Sequence, residues 1–398
     1  TVTASFDVAT SVASIVSTAN TTASAAAAAA AVGDTINLTT AVDSATGGAG
    51  ADSINGTLPY SANAIAASGT FSAADIINGG AGTDDFALTI SGANITASGA
   101  GDTATPTLIG VETLSIRNYE TDATAGDNVT VDLSLADTAL ATVGVTASSN
   151  VNADTVFSNI GQSVNLVHAG KGDMTATYAG GVSTGTGDAA NVTFNDVGTS
   201  AATVSVFDLS SIETLNITSS TNANFVDIAN QGITAVTVAG DKAIHLEISD
   251  PQVTTIDASS ASGVVTLDTT DITMSGLTSI KGGSGTADVL EVDEAVTVTG
   301  ATTALNSLFA ASGFETLLVD NATGTITVAL STADLGISKF DFTSTQAQTL
   351  TLNTGYTGAT TVAVSGTDTV TNTANVDLTV NAASNVFTNT MTVTGGTG

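Results

Sequence analysis

Cysteine and tryptophan are absent from this 398-residue chain, proline occurs three times, and five basic residues stand against 37 acidic ones. Each shortage excludes something. Without cysteine there are no disulfides, so a secreted chain of this size must be held by its core, by metal, or by assembly with copies of itself. Arg117, Lys171, Lys242, Lys281 and Lys339 are the whole basic complement. Nucleic acid is therefore not expected as a partner, because phosphate binding needs clustered cations. No apolar run reaches the about eighteen residues of a membrane span, and no basic-then-apolar leader is expected in the chain as given. With twelve phenylalanines and four tyrosines, the core must be narrow and built largely from Ala and Val.

Apolar residues make up 42% of the chain, and threonine, valine and forty glycines set its texture. Thr and Val favour strands and Gly favours tight turns, so the composition predicts many short strands. The formal charge is −32. Most of the acids are Asp, whose short carboxylate suits a turn around a hard cation.

Two segments carry the most specific signal. Gly47-Gly48-Ala49-Gly50-Ala51-Asp52-Ser53-Ile54-Asn55 and Gly79-Gly80-Ala81-Gly82-Thr83-Asp84-Asp85-Phe86-Ala87 both fit G-G-x-G-x-D-x-U-x, with U apolar. In that pattern glycines let the backbone curl with carbonyls inward, the aspartate supplies a charged oxygen, and the apolar residue enters the core of a stacked parallel coil. Gly282 to Leu290 is a third copy with Asp288 one residue late, and Gly395 to Gly398 begins a fourth.

Finer repeats run through the middle of the chain. Ile212, Leu215 and Ile217 form a U-x-x-U-x-U unit that returns as Ile233, Val236, Val238, then as Val253, Ile256, Ala258, and opens again at Leu277 and Ile280. Steps of about twenty residues are the scale of one solenoid coil. Second strands lie between the units, at Ala243 to Ile248 and Gly263 to Asp268. Similar strands continue at Thr325 to Leu330, Thr349 to Leu352, Thr361 to Val364 and Val376 to Val380. The expected fold is all-β, a parallel β-solenoid of right-handed β-helix or β-roll type with calcium-binding Gly/Asp turns. The alternative is a row of tandem β-sandwich domains. The expected divisions are an Ala/Ser/Thr-rich lead segment at 1–33 (short helix or linker), a calcium-turn region at 34–118, and a continuing solenoid at 119–398.

A coarser repeat places Glu-Thr-Leu at Glu112, Glu213 and Glu315. A glutamate opening a strand reads first as a solvated or turn-capping side chain, with ion contact as the rival.

Two carboxylates ~4 Å apart repel by roughly 4 kcal/mol at an effective dielectric of ~20, so stacked acidic turns invite a divalent cation. Calcium accepts six to eight oxygens in loose geometry. The candidate ligands are Asp43, Gly48, Gly50, Asp52 and Asn55 in and before the first turn. Asp75, Asn78, Gly80, Gly82, Asp84 and Asp85 serve the second, and Gly283, Gly285 and Asp288 the third, with glycines contributing carbonyl oxygens.

These motifs resemble the RTX-related bacterial surface-layer and adhesin proteins. The resemblance is closest over residues 34 to 118: Thr39 to Ser44 before the first glycine motif, Ala74 to Asn78 before the second, then Ile109 to Leu114. It implies type I secretion from a Gram-negative cell, ordering by calcium outside it, and packing with copies of itself into a lattice, sheath or filament on the cell surface. Cell-surface polysaccharide is a further partner under this resemblance, and an RTX-type adhesin shaft is an alternative role.

A secreted polysaccharide-active β-helix enzyme is the rival from another class. It has little to build on. His168 and His245 are the two imidazoles; His245 lies in an alternating strand and His168 is expected in a turn before Gly170. No G-x-S-x-G elbow or H-E-x-x-H pair occurs, so the chain is not expected to be an enzyme. Tyr60, Tyr119, Tyr178 and Tyr356 are too scattered for a sugar-stacking platform.

Overall fold

The computed structural model describes residues 32–61, 64–65, 68–93, 103–121, 128–201, 203–229, 232–269, 277–292, 313–319, 327–330, 337–342, 349–352, 360–364, 369–372, 378–382 and 392–394. The expected helix or linker of the lead segment and the terminal glycine motif lie outside them, Val32 and Gly33 apart. All regular structure among the described residues is strand.

The strands form long parallel ladders. One sheet runs from Thr35–Asn37 to Ser279–Lys281, and its single antiparallel member is Ala64–Ile65. A thirteen-stranded sheet runs from Thr103–Ala104 to Leu378–Ala382. From Thr113 to Val292 the chain alternates strictly between the two, one strand in each per coil. This is a parallel β-solenoid. Tandem sandwiches are overturned, since they require antiparallel sheets closed within each hundred residues, and here one ladder runs on from coil to coil. A third, three-stranded sheet of Ser44–Thr46, Ile76–Asn78 and Thr107–Ile109 adds a side to the first coils. A fourth joins Thr327–Leu330, Thr349–Leu352, Thr369–Asn372 and Thr392–Thr394.

The twenty-residue repeat is the register of the first sheet. Leu215 pairs with Val236, Val236 with Ile256, and Ile256 with Ile280. All four are buried, as are Ile212, Ile233, Val253 and Leu277 ahead of them. Alternation at period two sends these residues inward, and each coil buries its apolar row only by lying on the next. The interior is thin enough for rings to meet across it: Phe194 of the first sheet and Phe207 of the second stand edge to face at 5.5 Å.

Outward residues form ladders of their own. Asn191 donates to Asn165 at 3.2 Å, Asn216 donates to Asn191 at 3.1 Å, and the Thr237 hydroxyl donates to Asn216 at 2.8 Å. Stacked identical amides satisfy one another down the column, which helps fix register where no apolar side chain does so.

Candidate metal centre in the acidic turns

The first two glycine motifs lie on top of one another at one corner of the solenoid, and their acids are wired to backbone. The Asp34 N–H donates to Asp52 Oδ1 at 2.5 Å, the Asp52 N–H to Asp84 Oδ1 at 2.7 Å, and the Asp84 N–H to Glu112 Oε2 at 2.7 Å. Carbonyls answer in the other direction. Asp34 O accepts from Ser53 N at 2.8 Å, Asp52 O from Asp85 N at 2.9 Å, and Asp84 O from Thr113 N at 3.0 Å. Each carboxylate thus faces an amide of the coil below, a charge-assisted bond that offsets part of the repulsion between stacked acids.

The remaining oxygens differ from turn to turn. Asp52 Oδ2 accepts from Gly48 N at 2.6 Å, so both of its oxygens are engaged. Asp75 accepts from Asp43 N at 2.9 Å and Ser72 N at 2.7 Å, and Asp43 accepts from Thr39 N at 2.7 Å. Asn78 Oδ1 accepts from Gly80 N at 3.1 Å. Asn55 and Asp85 sit on strands and not in the turns, with Asp85 accepting from the Ser115 hydroxyl at 2.7 Å. Two oxygens stand apart. Asp84 Oδ2 is buried without a hydrogen-bond donor, and Asp288 Oδ2 is buried against Gly283 and Gly285, whose amides favour its charged form. Burial, and then the neighbouring Glu112 and Asp52 charges, push Asp84 above the usual carboxylate range. Burial does the same for Asp288, and burial followed by the Asp288 charge for Glu315.

The glycines make this corner possible. A Cβ on Gly79 would overlap Gly110 O and lie 2.6 Å from Asp84 Oδ2, and one on Gly80 would overlap Gly48 O. Gly80 also holds φ +94°, a region that favours glycine. Gly50 and Gly82 are packed as tightly, against Gly33 N and Gly50 O; Gly48 has more room. In the third turn, Gly283 and Gly285 would place a Cβ 2.9 and 3.4 Å from Asp288 Oδ2.

The late aspartate of the third copy reaches the same place as Asp84. The Asp288 N–H donates to Glu315 Oε2 at 2.8 Å, and Asp288 O accepts from Glu315 N and Thr316 N, each at 3.0 Å. A further copy escaped the glycine pattern: Asp188, after Gly185-Thr186-Gly187, donates to Glu213 Oε2 at 2.9 Å and its carbonyl accepts from Thr214 N at 3.0 Å. The three recurring glutamates are therefore one device, a carboxylate that holds the amide of a turn aspartate in the preceding coil. Their recurrence was visible in the sequence; their partners were not, because a backbone N–H has no letter.

Among the described residues no three carboxylate or imidazole side chains converge on a common point. A hard cation at these turns would draw on Asp84 Oδ2 or Asp288 Oδ2 and on glycine carbonyls, a donor chemistry that suits calcium.

His168 is not in a turn. It lies on the strand Asn165–Gly170, fully buried between Phe194 and Phe207, with Nε2 2.9 Å from Gly172 O and 3.3 Å from the Ser205 hydroxyl. Burial lowers its pKa to about 4. The alternation of Leu166 and His168 about half-exposed Val167 was the available sign of an inward position. His245 lies half-buried on the strand Ile244–Ile248, as its pattern indicates.

The chain matches no family model, no curated protein and no solved structure.

Proposed function

We propose that this chain is a structural protein of the bacterial cell surface, secreted from a Gram-negative cell, which assembles with copies of itself in the presence of calcium. The observation that carries the reading is the pair of buried oxygens Asp84 Oδ2 and Asp288 Oδ2, each in a glycine turn between stacked coils, the first of them without a hydrogen-bond donor. Calcium bound there would supply positive charge against carboxylates that burial has left short of solvation. The protein's own part is to hold the turn: Asp84 and Asp288 each keep one oxygen buried within the turn while the other accepts a backbone amide, and Glu112 and Glu315 fix the aspartate from the next coil.

The solenoid form supports a structural role. Stability that accrues coil by coil suits a long, stiff body, and a charge of −32 keeps copies apart until cations screen or bridge them. The test is thermal melting and particle size in calcium, in magnesium and in excess chelator. Calcium is expected to raise the melting temperature and to produce assemblies that chelator disperses. Asp84→Asn with Asp288→Asn is expected to abolish the calcium shift in melting. Equal melting and equal particle size in calcium and chelator would refute the proposal.

A further inference from the structure

Where the strands of the first sheet end, at the opposite end from the acidic turns, the surface opens into a cleft of about 480 Å³. It spans four successive strands, Thr142–Ser148, Asn165–Gly170, Ala189–Val197 and Thr214–Ser220, each ~4.8 Å from the next. Two of them bulge there. Val145 and Ala147 pair with the consecutive Ile116 and Arg117, and Asn195 and Val197 with the consecutive Ala169 and Gly170, so Thr146 and Asp196 are extra residues. A bulge re-aims the side chains around it and is over-represented beside binding sites. Between the two bulged strands, Val167 and Ala169 join Ala147 as the apolar part of the lining, all buried or half-buried. Thr146, Asp196 and Thr221 form its exposed polar rim, with Ser148 and Asn195 half-buried behind them.

The backbone of this rim is strained. Asp196 and Thr221 hold φ +61° and +67°. The strands Asp85–Ala93, Asn165–Gly170 and Ala235–Gly240 meet the same corner with Gly92, Gly170 and Gly240, at φ +113°, +99° and +114°. Glycine takes such a backbone freely, and a β-branched threonine takes it at a cost. The corner therefore needs left-handed backbone but not these two side chains, and strain retained at a cleft points to use of the side chains. Their chemistry is open to a ligand. The Thr221 hydroxyl donates to Asn195 Oδ1 at 3.2 Å, which fixes the amide and leaves its NH2 without a partner among the described residues. Ser148 Oγ accepts from Lys171 N at 2.6 Å and Gly172 N at 2.8 Å, so its own proton remains to be donated. The Asp196 carboxylate is exposed and has no hydrogen bond or ion pair among the described residues.

We propose that this cleft binds one ring of an uncharged sugar. A carboxylate accepts from two adjacent hydroxyls, the Asn195 NH2 and the Ser148 hydroxyl donate to ring oxygens, and the small apolar patch receives the C–H face. An anionic ligand would meet Asp196 with no cation in the lining, and a hard cation would find a single carboxylate there. The volume falls within the ~300–1,000 Å³ of small-molecule sites. None of this depends on calcium in the acidic turns.

The probes are the methyl glycosides of glucose, galactose, mannose and N-acetylglucosamine, each titrated against the full chain by saturation-transfer difference NMR. At least one is expected to bind, and methyl glucuronide is expected to bind at least fivefold more weakly than the best of them. Asp196→Gly is expected to reduce the signal at least fivefold while melting no lower than wild type, and Thr221→Gly to weaken binding while melting higher. Asp241→Asn, remote from the cleft, is expected to change binding less than twofold. The linear trisaccharide of the best sugar tells a chain segment from a free sugar: tighter binding marks the first, equal binding the second, and either upholds the site. No saturation transfer to any neutral glycoside, equal binding of the glucuronide, or binding unchanged by Asp196→Gly would overturn the proposal. A lower melting temperature for Asp196→Gly would make the aspartate a structural part of the corner and overturn it as well.

Discussion

Glu112 and Asp84 hold each other in both directions: the Glu112 carboxylate accepts the Asp84 N–H at 2.7 Å, and the Asp84 carbonyl accepts the Glu112 N–H at 3.2 Å. Asp188 with Glu213 and Asp288 with Glu315 repeat the arrangement. In a solenoid whose strands are joined by turns of variable length, such a lock fixes where a turn ends and the next ladder begins.

Glu112→Ala leaves the amide of a buried residue without its acceptor and is expected to cost about 1–3 kcal/mol of stability. Glu112→Gln retains an oxygen in the same place and is expected to cost less than about 1 kcal/mol. Urea melts of the two variants make the comparison. Equal losses would show that negative charge, and not the acceptor, matters there.

Gly79→Ala would drive a methyl group into Gly110 O and towards Asp84 Oδ2. A loss of more than about 2 kcal/mol is expected, since backbone atoms on both coils must move. Gly161, where an added Cβ meets nothing within 4 Å, is the control. Its change to Ala is expected to stay within about 0.5 kcal/mol of wild type.

His168 titrates against folding. Its pKa is depressed from 6.5 to about 4, so its contribution is fully present above pH 6.5 and is lost as the pH falls towards 4. The full loss is about 3 kcal/mol. Stability measured from pH 7 to pH 4 is expected to fall more steeply in wild type than in His168→Phe. Parallel curves would place the acid sensitivity elsewhere.

Asp84 works in the opposite sense. Its pKa is raised above 3.8, so the stability it contributes is fully present below that value and is lost as the pH rises through its folded pKa. In calcium-free buffer, Asp84→Asn is expected to be at least as stable as wild type at pH 7 while keeping an oxygen acceptor for Asp52 N. A less stable variant, in melts without metal, would show that the charge itself anchors the turn.

The sequence shows the solenoid most clearly where coils have nearly equal length. Leu215, Val236 and Ile256 recur at 21 and 20 residues because inward apolar rows must stack, and stacking fixes their period. Between Ser53 and Asp85 the coil takes 32 residues, and from Asp85 to Thr113 it takes 28, so no fixed period marks that region. The glycine motifs stood out there because close backbone approach leaves glycine few substitutes. The partners of Asp52, Asp75 and Asp84 were hidden for the reason that they are main-chain amides. His168 misled because a following Gly170 suggests a turn; the glycine instead sits at the strand's end with φ +99°, beside a shift of register.

The parallel pairing has a mechanical corollary. Hydrogen bonds between coils point along the axis of the rod, so tension applied to its two ends meets one ladder at a time. Such a body yields by unwinding from an end one coil at a time, in steps set by each coil's length: the 21 residues from Leu215 to Val236 would pay out ~70 Å of slack before the following turn bears the load.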